Sequence, residues 1–340
     1  MKIPEEIEQT LLLGRAVSVR HYSRIFQGVL SGRFDRPEVK KLLLILARKG
    51  GNSPEALGCL AALRKVERLR SVPLPHLMDV CGTGGDERGT FNISTVCAFL
   101  IAAGGGYVAK HGNRSASSRV GSSDLMEALG VRIDAPFHSM VEALRKCRLG
   151  YFHAPQYHPS FRYVQKVRRE LGIPTLFNLL GPLVNPIKLD YQMVGVSSSE
   201  WVEPVAEALK QLGRKRAAAV RSEDGLDELS TSEESDIFYV EGTRFKKFRV
   251  NPRRLGFARA RIKDYEGGDL RTNREIAMGV LTGRIRDAKQ DVVVLNSGFA
   301  LWLCGVSASI SDGIDRSRRM ILRGEGVGVL ESLRRLTNRK

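Results

Sequence analysis

Residues 77–95 read LMDVCGTGGDERGTFNIST, and the run that follows at 96–103 is VCAFLIAA. A five-residue stretch rich in apolar side chains has the length of a buried strand; Gly82, Gly84 and Gly85 interrupt it, and the run from Ile93 is long enough for a helix. The order strand, glycine-rich turn, helix is one half of an α/β unit. Glycines let backbone N–H groups come close to an anion, and Asn92, Ser94 and Thr95 add an amide and two hydroxyls where the helix begins, so the turn is built as a phosphate cradle. Glycine-rich turns are often plain connections. The hydroxyls, with a strand before and a helix after, set this one apart.

The same texture extends outward. YVAKHG, SSDLMEALG, FHSMVEALRKCRLG, YFHAP, YQMVGVSS, SEWVEPVAEALKQLG and RAAAVRS continue an alternation of short apolar runs and longer amphipathic segments. An α/β fold follows, with a mostly parallel central sheet flanked by helices. DIFYV and RFKKFRV look like an added antiparallel pair, and three helices are expected from about Gly268 onward. The first seventy residues differ: apolar residues recur at helical spacing in 3–13, 19–30, 37–47 and 53–63, with Gly32, Gly50 and Gly51 as stops and Ser53 with Pro54 as a start. The expected division is a helical domain at 1–70, which part of 170–190 could join, and an α/β domain at 71–340.

Two further loops carry chemistry. Residues 110–123, KHGNRSASSRVGSS, again lie between a strand and a helix. Lys110, Asn113, Arg114, Ser115, Ser117, Ser118 and Ser122 form a dense donor set with no carboxylate before Asp124, which suits a pyrophosphate. Residues 224–230, DGLDELS, place Asp227 beside Glu228 in a cation-rich chain. Alone this is an acidic turn; beside two phosphate loops it fits Mg²⁺, which takes one or two carboxylates together with substrate phosphates and water.

Bulk properties bound the reading. With 340 residues there is room for one large core and a smaller domain, and 42% hydrophobic with 27% charged residues is an ordinary globular balance. The acidic start MKIPEEIEQT predicts no export signal, and the longest apolar stretch, 96–109, is broken at Gly104–Gly106 and too short to cross a bilayer. Five cysteines without a CxxC pair predict reduced thiols and a cytoplasmic setting. The net charge of +17 favours polyanionic partners, nucleic acid or a phosphorylated metabolite, although dispersed cations are often only a solvated face.

The three loops, together with PTLFNLLGPLVNP at 174–186, SGRFDRPEVKKLLLILARKG at 31–50, GGDLRTN at 267–273 and DVVVLNSG at 291–298, resemble the anthranilate phosphoribosyltransferase family over nearly the whole chain. The resemblance implies transfer of a phosphoribosyl group from phosphoribosyl pyrophosphate to anthranilate in tryptophan biosynthesis. It implies a phosphoribosyl pyrophosphate site made by Gly82, Gly85, Asp86, Thr90, Asn92, Ile93, Ser94, Thr95, Lys110, His111, Gly112, Asn113, Arg114, Ser115, Ala116, Ser117, Ser118 and Ser122. Two Mg²⁺ ions per subunit would be held by Ser94, Asp227 and Glu228. Arg168, in VRRELG, would meet the anthranilate carboxylate, with Gly82 and Asn113 bordering the same ligand and His111, His158 and Gly181 as further walls. Arg168 could otherwise be a surface cation, and His158 a helix cap. A homodimer through the helical domain is also implied. The sequence departs from the family pattern at Pro174, where arginine is common, and at Arg221 and Ser222 before the acidic turn.

An aromatic amine is neutral at pH 7, so the implied displacement needs no strong base, in keeping with the lack of an obvious histidine–carboxylate pair among the motifs. Two rivals stand beside this reading. Pyrimidine nucleoside phosphorylases share the architecture, but their phosphate loop resembles KxSxGGVGD, which GTGGDERGTFN does not match. A nucleic-acid-binding relative that has lost catalysis should lack the GTGGD loop and the acidic pair, and both are intact, which argues against nucleic acid as the partner.

Overall fold

The computed structural model describes residues 9–10, 15, 17–49, 53–67, 69–114, 119–173 and 175–339. The expected helix over 3–13, the stops at Gly50 and Gly51, Ser115–Ser118 and Pro174 lie wholly or largely outside them. Residues 9–10 are helical, and the helices α1 (Val19–Leu30), α2 (Arg36–Lys49) and α3 (Ser53–Val66) follow. Tyr22, Ile25, Phe26 and Val29 recur at helical spacing on α1 and are all buried. Each such side chain stabilises the packing by about 1.5–3 kcal/mol. α3 approaches α1 closely at Gly58, where a Cβ would collide with Tyr22. The fully buried Glu55 is held there by the Tyr22 hydroxyl at 2.9 Å and the Lys49 ammonium at 3.0 Å.

The chain then alternates β1 (Leu77–Gly82), α4 (Ile93–Ala103), β2 (Tyr107–Gly112), α5 (Ser122–Ala128), α6 (Phe137–Cys147), β3 (Leu149–His153) and the single turn α7 (Ala154–Tyr157). Two more helices, α8 (Arg162–Leu171) and α9 (Leu176–Leu180), precede β4 (Tyr191–Gly195), α10 (Ser199–Gln211), β5 (Arg216–Ser222), β6 (Ser235–Glu241) and β7 (Arg244–Val250). The seven strands form one sheet in the order β3-β2-β1-β4-β5-β6-β7. β1 to β5 run parallel, and β6 and β7 add the expected antiparallel pair. Four helices close the chain, not the expected three: α11 (Leu270–Leu281), α12 (Ala288–Leu303), α13 (Ile310–Leu322) and α14 (Glu325–Thr337). The last break falls at Gly324, whose φ of +65° follows α13 in the left-handed region.

One core cluster joins α4, α12 and α14 to the sheet; residues 95–102 of α4 are all buried, as a helix apolar on every side requires. A second cluster gathers α1 to α3, residues from α8, α9 and α10, and sheet residues such as Val194 and Ala217. The segment 176–184 packs with the N-terminal helices. All five cysteines are free thiols. No helix among the described residues is long and apolar enough to cross a membrane.

Candidate active site

The sheet reverses its order at β1: β2 and β3 lie to one side, β4 and β5 to the other. In open α/β sheets ligands bind beyond the strands' carboxyl ends at such a switch point. β1 and β4 end there on the register pair Gly82 and Gly195. Both strands must end in glycine for a reason the sequence hides. A Cβ on Gly82 would strike the Asp227 carboxylate, and one on Gly195 would strike the Asp227 carbonyl. The acidic turn therefore lies directly across the switch point.

The glycine-rich loop rises from the same place. Gly84, Gly85 and Gly89 have φ of +65°, +77° and +64°, and a Cβ on any of them would meet nothing within 4 Å. Conformation demands glycine here, and the space above stays open. The Gly84 N–H donates to Asp227 Oδ2 at 2.9 Å, and Ser197 Oγ donates to the Gly84 carbonyl at 3.0 Å. Asp86 accepts the Arg88 N–H at 3.2 Å with one oxygen, while its buried Oδ2 has no partner. Asn92 is the N-cap position of α4; its amide donates to the Val120 carbonyl at 3.0 Å and its buried oxygen is unpartnered. Ser94 is half-buried on the first turn, Ile93 and Thr95 lie beneath it, and Thr90 is pinned by a bridge to Glu266.

Three carboxylates meet at this point, and their electrostatics show strain that a cation would relieve. Burial, then the Asp86 charge, push Asp227 up to about 7. Burial raises Asp86 as well. Glu228 is raised by burial and by Asp227, against the opposing pull of Lys110 and a backbone hydrogen bond from Ser94. Among the described residues no three His, Cys, Asp or Glu groups close a metal cage by themselves. The donor set thus fits a hard divalent cation that completes its shell with water and substrate oxygens.

The second loop divides. Lys110 is buried near Glu228 and Asp79, with Nζ 3.4 Å from the His111 carbonyl. Gly112 is required because a Cβ would collide with the Ser122 and Tyr151 hydroxyls, which are 3.0 Å apart. Asn113 is exposed, and its carbonyl accepts the Ser123 N–H at 3.1 Å. Arg114 instead turns away to Asp124 and Glu127, at 2.8 and 2.9 Å. Ser115, Ala116, Ser117 and Ser118 lie outside the described residues.

A second pocket wall forms from aromatic rings. The His111 and His158 rings stand edge to face at 5.1 Å, His158 lies 5.4 Å from Phe161, and Phe161 lies 5.6 Å from Phe177. The half-buried Arg168 closes this row, 5.9 Å from the Phe177 ring, donating to Asn178 Oδ1 at 3.1 Å; Arg169 is exposed. Burial lowers the Arg168 guanidinium, and no described carboxylate pairs with it. Burial also lowers His111 well below its usual range, with His158 and Lys110 adding to the effect and the Gly181 backbone opposing it. His111, His158 and Gly181 therefore do converge. Of the departures from the family pattern, Arg221 donates to the Ser197 carbonyl at 3.2 Å and Ser222 is buried against the Glu234 carbonyl, so both shape the acidic turn from behind.

Three residues escaped the sequence reading. β1 and β2 pair only at Leu77–Tyr107 and Met78–Val108, then separate. The freed groups are taken by side chains: Asp79 Oδ1 accepts the His111 N–H at 3.3 Å, and Asn185 donates to the Ala109 carbonyl at 2.7 Å and to Asp79 Oδ2 at 2.9 Å. A lone acid inside LMDVC, a strand buried on both faces, was the available signal. The third is Glu67, which bonds His158 Nδ1 and the Ser160 hydroxyl. It supplies the histidine–carboxylate pair that the motifs lacked, and nothing in the sequence marks it.

Comparison with known proteins fits this geometry. Residues 74–327 match the model of the glycosyl transferase family, a/b domain. The anthranilate phosphoribosyltransferase of Persephonella marina is 40% identical over 326 residues, 94% of this chain and 95% of that one. That of Paramagnetospirillum magneticum is 39% identical over 339 residues, 100% of this chain and 97% of its own. The chain belongs to the anthranilate phosphoribosyltransferase family. Among solved structures, the anthranilate phosphoribosyltransferase of Thermus thermophilus superposes with a TM-score of 0.90 at 36% identity, over 98% of this chain and 99% of that one. The Saccharomyces cerevisiae member, in complex with phosphoribosyl pyrophosphate and Mg, gives 0.89 at 25% identity, over 98% and 97%. Membership in this family of enzymes spans both the helical start and the α/β part.

Proposed function

We infer that the chain transfers the phosphoribosyl group of phosphoribosyl pyrophosphate to the amine of anthranilate, releasing N-(5-phosphoribosyl)anthranilate and pyrophosphate, in tryptophan biosynthesis. The observation that carries this reading is the meeting of the GTGGD loop and the Asp227–Glu228 turn at the switch point, joined by the Gly84–Asp227 hydrogen bond.

The phosphoribosyl pyrophosphate lies across the open glycine loop, with Gly82, Gly85, Asp86, Thr90, Asn92, Ile93, Ser94 and Thr95 on one side and residues 110–118 with Ser122 on the other. Ser94, Asp227 and Glu228 hold magnesium, two ions per subunit, which when bound supplies countercharge to the pyrophosphate. Lys110 and the N–H groups of the loop add fixed positive potential where the leaving group's charge develops. Anthranilate enters the aromatic row between His111 and Phe177 with its carboxylate on Arg168, beside Gly82 and Asn113. Its neutral amine attacks the anomeric carbon as the bond to pyrophosphate breaks, and the anilinium so formed, a strong acid, gives its extra proton to water, so orientation of the two substrates does most of the chemistry. Burial keeps His111 uncharged and therefore compatible with an aromatic ring and an electron-rich amine.

The 1–70 helical domain, joined by residues 176–184, and the 71–340 α/β domain would be separate units that close on each other over the substrates. A cytoplasmic homodimer assembled through the helical domain belongs to the same reading; the exposed Val66, Leu69, Tyr163 and Ile173 supply apolar surface for it. The deciding experiment mixes the protein with Mg²⁺, phosphoribosyl pyrophosphate and anthranilate and follows anthranilate fluorescence. Its loss must require all components; no loss at any protein concentration would refute the assignment.

A further inference from the structure

A cavity of about 50 Å³ lies between α3 and the sheet side of the molecule, behind the His158 wall. Its apolar lining comes from both sides, Leu60 and Leu63 on α3 facing Leu183 and Leu212. Its distinctive polar group is Arg214, 4% exposed. Nε of Arg214 donates to Gln192 Oε1 and Nη1 to the Leu189 carbonyl, both at 3.0 Å. No described residue accepts from Nη2, and no described carboxylate forms an ion pair with this guanidinium. Burial pulls it down to about 10, with Arg64 at the cavity rim adding repulsion.

Asp79 and Asp190 favour its charge from a distance, but no carboxylate touches it, and a buried cation without a direct partner is costly; the fold retains it beside other unmet demands. The Tyr157 hydroxyl and His158 Nε2 belong to side chains nine-tenths buried that line the same cavity, and neither atom has a partner. Glu67 also lines it but is engaged by His158 and Ser160. Arg64 reaches across from α3 to the Leu212 carbonyl at 3.4 Å, so the cavity mouth is bounded by cations from both sides of the joint.

We propose that this cavity binds a small apolar monocarboxylate, its carboxylate between Arg214 and Arg64 and its hydrocarbon end among the leucines. The space corresponds to about four waters, which admits a short branched acid but is well below the roughly 150 Å³ that holds a benzene ring. Leucine walls disfavour a phosphate dianion, whose remaining oxygens would go unsolvated. A bound acid ties α3 to the 212–214 turn and, through the Glu67–His158 pair, touches the wall of the acceptor pocket. The site does not depend on the transferase reading, because Arg168 is not part of its lining.

The test titrates the full chain with isovalerate and, separately, with its neutral isostere isovaleramide, reading the melting temperature, which a true ligand raises with concentration. Isovalerate should raise it in the wild type and isovaleramide should not. Arg214→Met should abolish the response. Arg64→Ala, at the exposed rim, should weaken apparent affinity about tenfold, as loss of one charge-assisted hydrogen bond would, and it carries the test if Arg214→Met fails to fold. Arg168→Ala should respond as the wild type does. Absence of an isovalerate-specific rise in the wild type overturns the proposal. So does a response lost in Arg168→Ala but kept in Arg64→Ala, which would put the acid in the acceptor pocket.

Discussion

Asp227 accepts the backbone N–H of Gly84 at 2.9 Å, across 143 residues of sequence, and so locks the acidic turn to the phosphate loop. The same carboxylate repels Asp86 and is pushed up to about 7. The bond fixes the geometry while the charge is left for a cation to satisfy. Asp227→Asn combined with Glu228→Gln should therefore abolish turnover with the circular dichroism spectrum unchanged. Near-normal activity at saturating Mg²⁺ would remove the pair from the metal site.

The raised carboxyl also sets a pH dependence. A carboxyl whose folded pKa lies above its unfolded value near 4 makes the folded state bind the extra proton, so its contribution to stability worsens as pH rises from about 4 to about 7 and is flat beyond. Without metal, the melting temperature of the wild type should fall over that window relative to Asp227→Asn. Mg²⁺ competes with the same proton, so its stabilising effect should grow through about pH 7. Parallel pH curves for the two proteins would show that Asp227 is not strained.

Gly195 tests the packing of the turn. Its Cβ would overlap the Asp227 carbonyl, which is backbone and cannot move aside, so Gly195→Ala should displace the turn, lose activity and destabilise by several kcal/mol. Gly84→Ala meets no atom but places an L-residue at φ +65°, a strain of about 1–2 kcal/mol. Urea denaturation of both variants should rank Gly195→Ala as clearly the worse.

Lys110 offsets two buried acids, Asp79 and Glu228. Lys110→Met should cost roughly 3–5 kcal/mol, the scale for leaving a buried charge uncompensated. Adding Asp79→Asn should recover part of the stability without recovering turnover. If the double variant is as unstable as the single one, Asp79 is not the charge that Lys110 balances.

Arg168 and Arg169 are neighbours about 100° apart on α8. Arg168→Ala should raise the anthranilate Michaelis constant roughly 10- to 150-fold, the equivalent of a lost charge-assisted contact of about 1.5–3 kcal/mol, and leave phosphoribosyl pyrophosphate binding nearly unchanged. Arg169→Ala, with its side chain in solvent, should be silent. A larger effect at Arg169 in steady-state kinetics would redraw the acceptor site.

The sequence by itself determined the alternation of strands and helices and where the three loops fall between them, because periodicity and glycine are local signals that tertiary packing rarely overrides. Arg168 is singled out by the resemblance of VRRELG to the family, not by periodicity or charge, which leave it a surface cation. Only the folded chain decided that Gly82 and Gly195 end adjacent strands under Asp227, since register between β1 and β4 depends on pairings more than a hundred residues apart. It decided that Arg114 turns to Asp124 and Glu127, a choice among rotamers that composition cannot make. Glu67 meeting His158, Asp79 and Asn185 filling the split between β1 and β2, and Arg214 left buried beside a cavity are likewise facts of proximity. Side chains far apart in the chain acquire partners, and lose water, only when the core has formed.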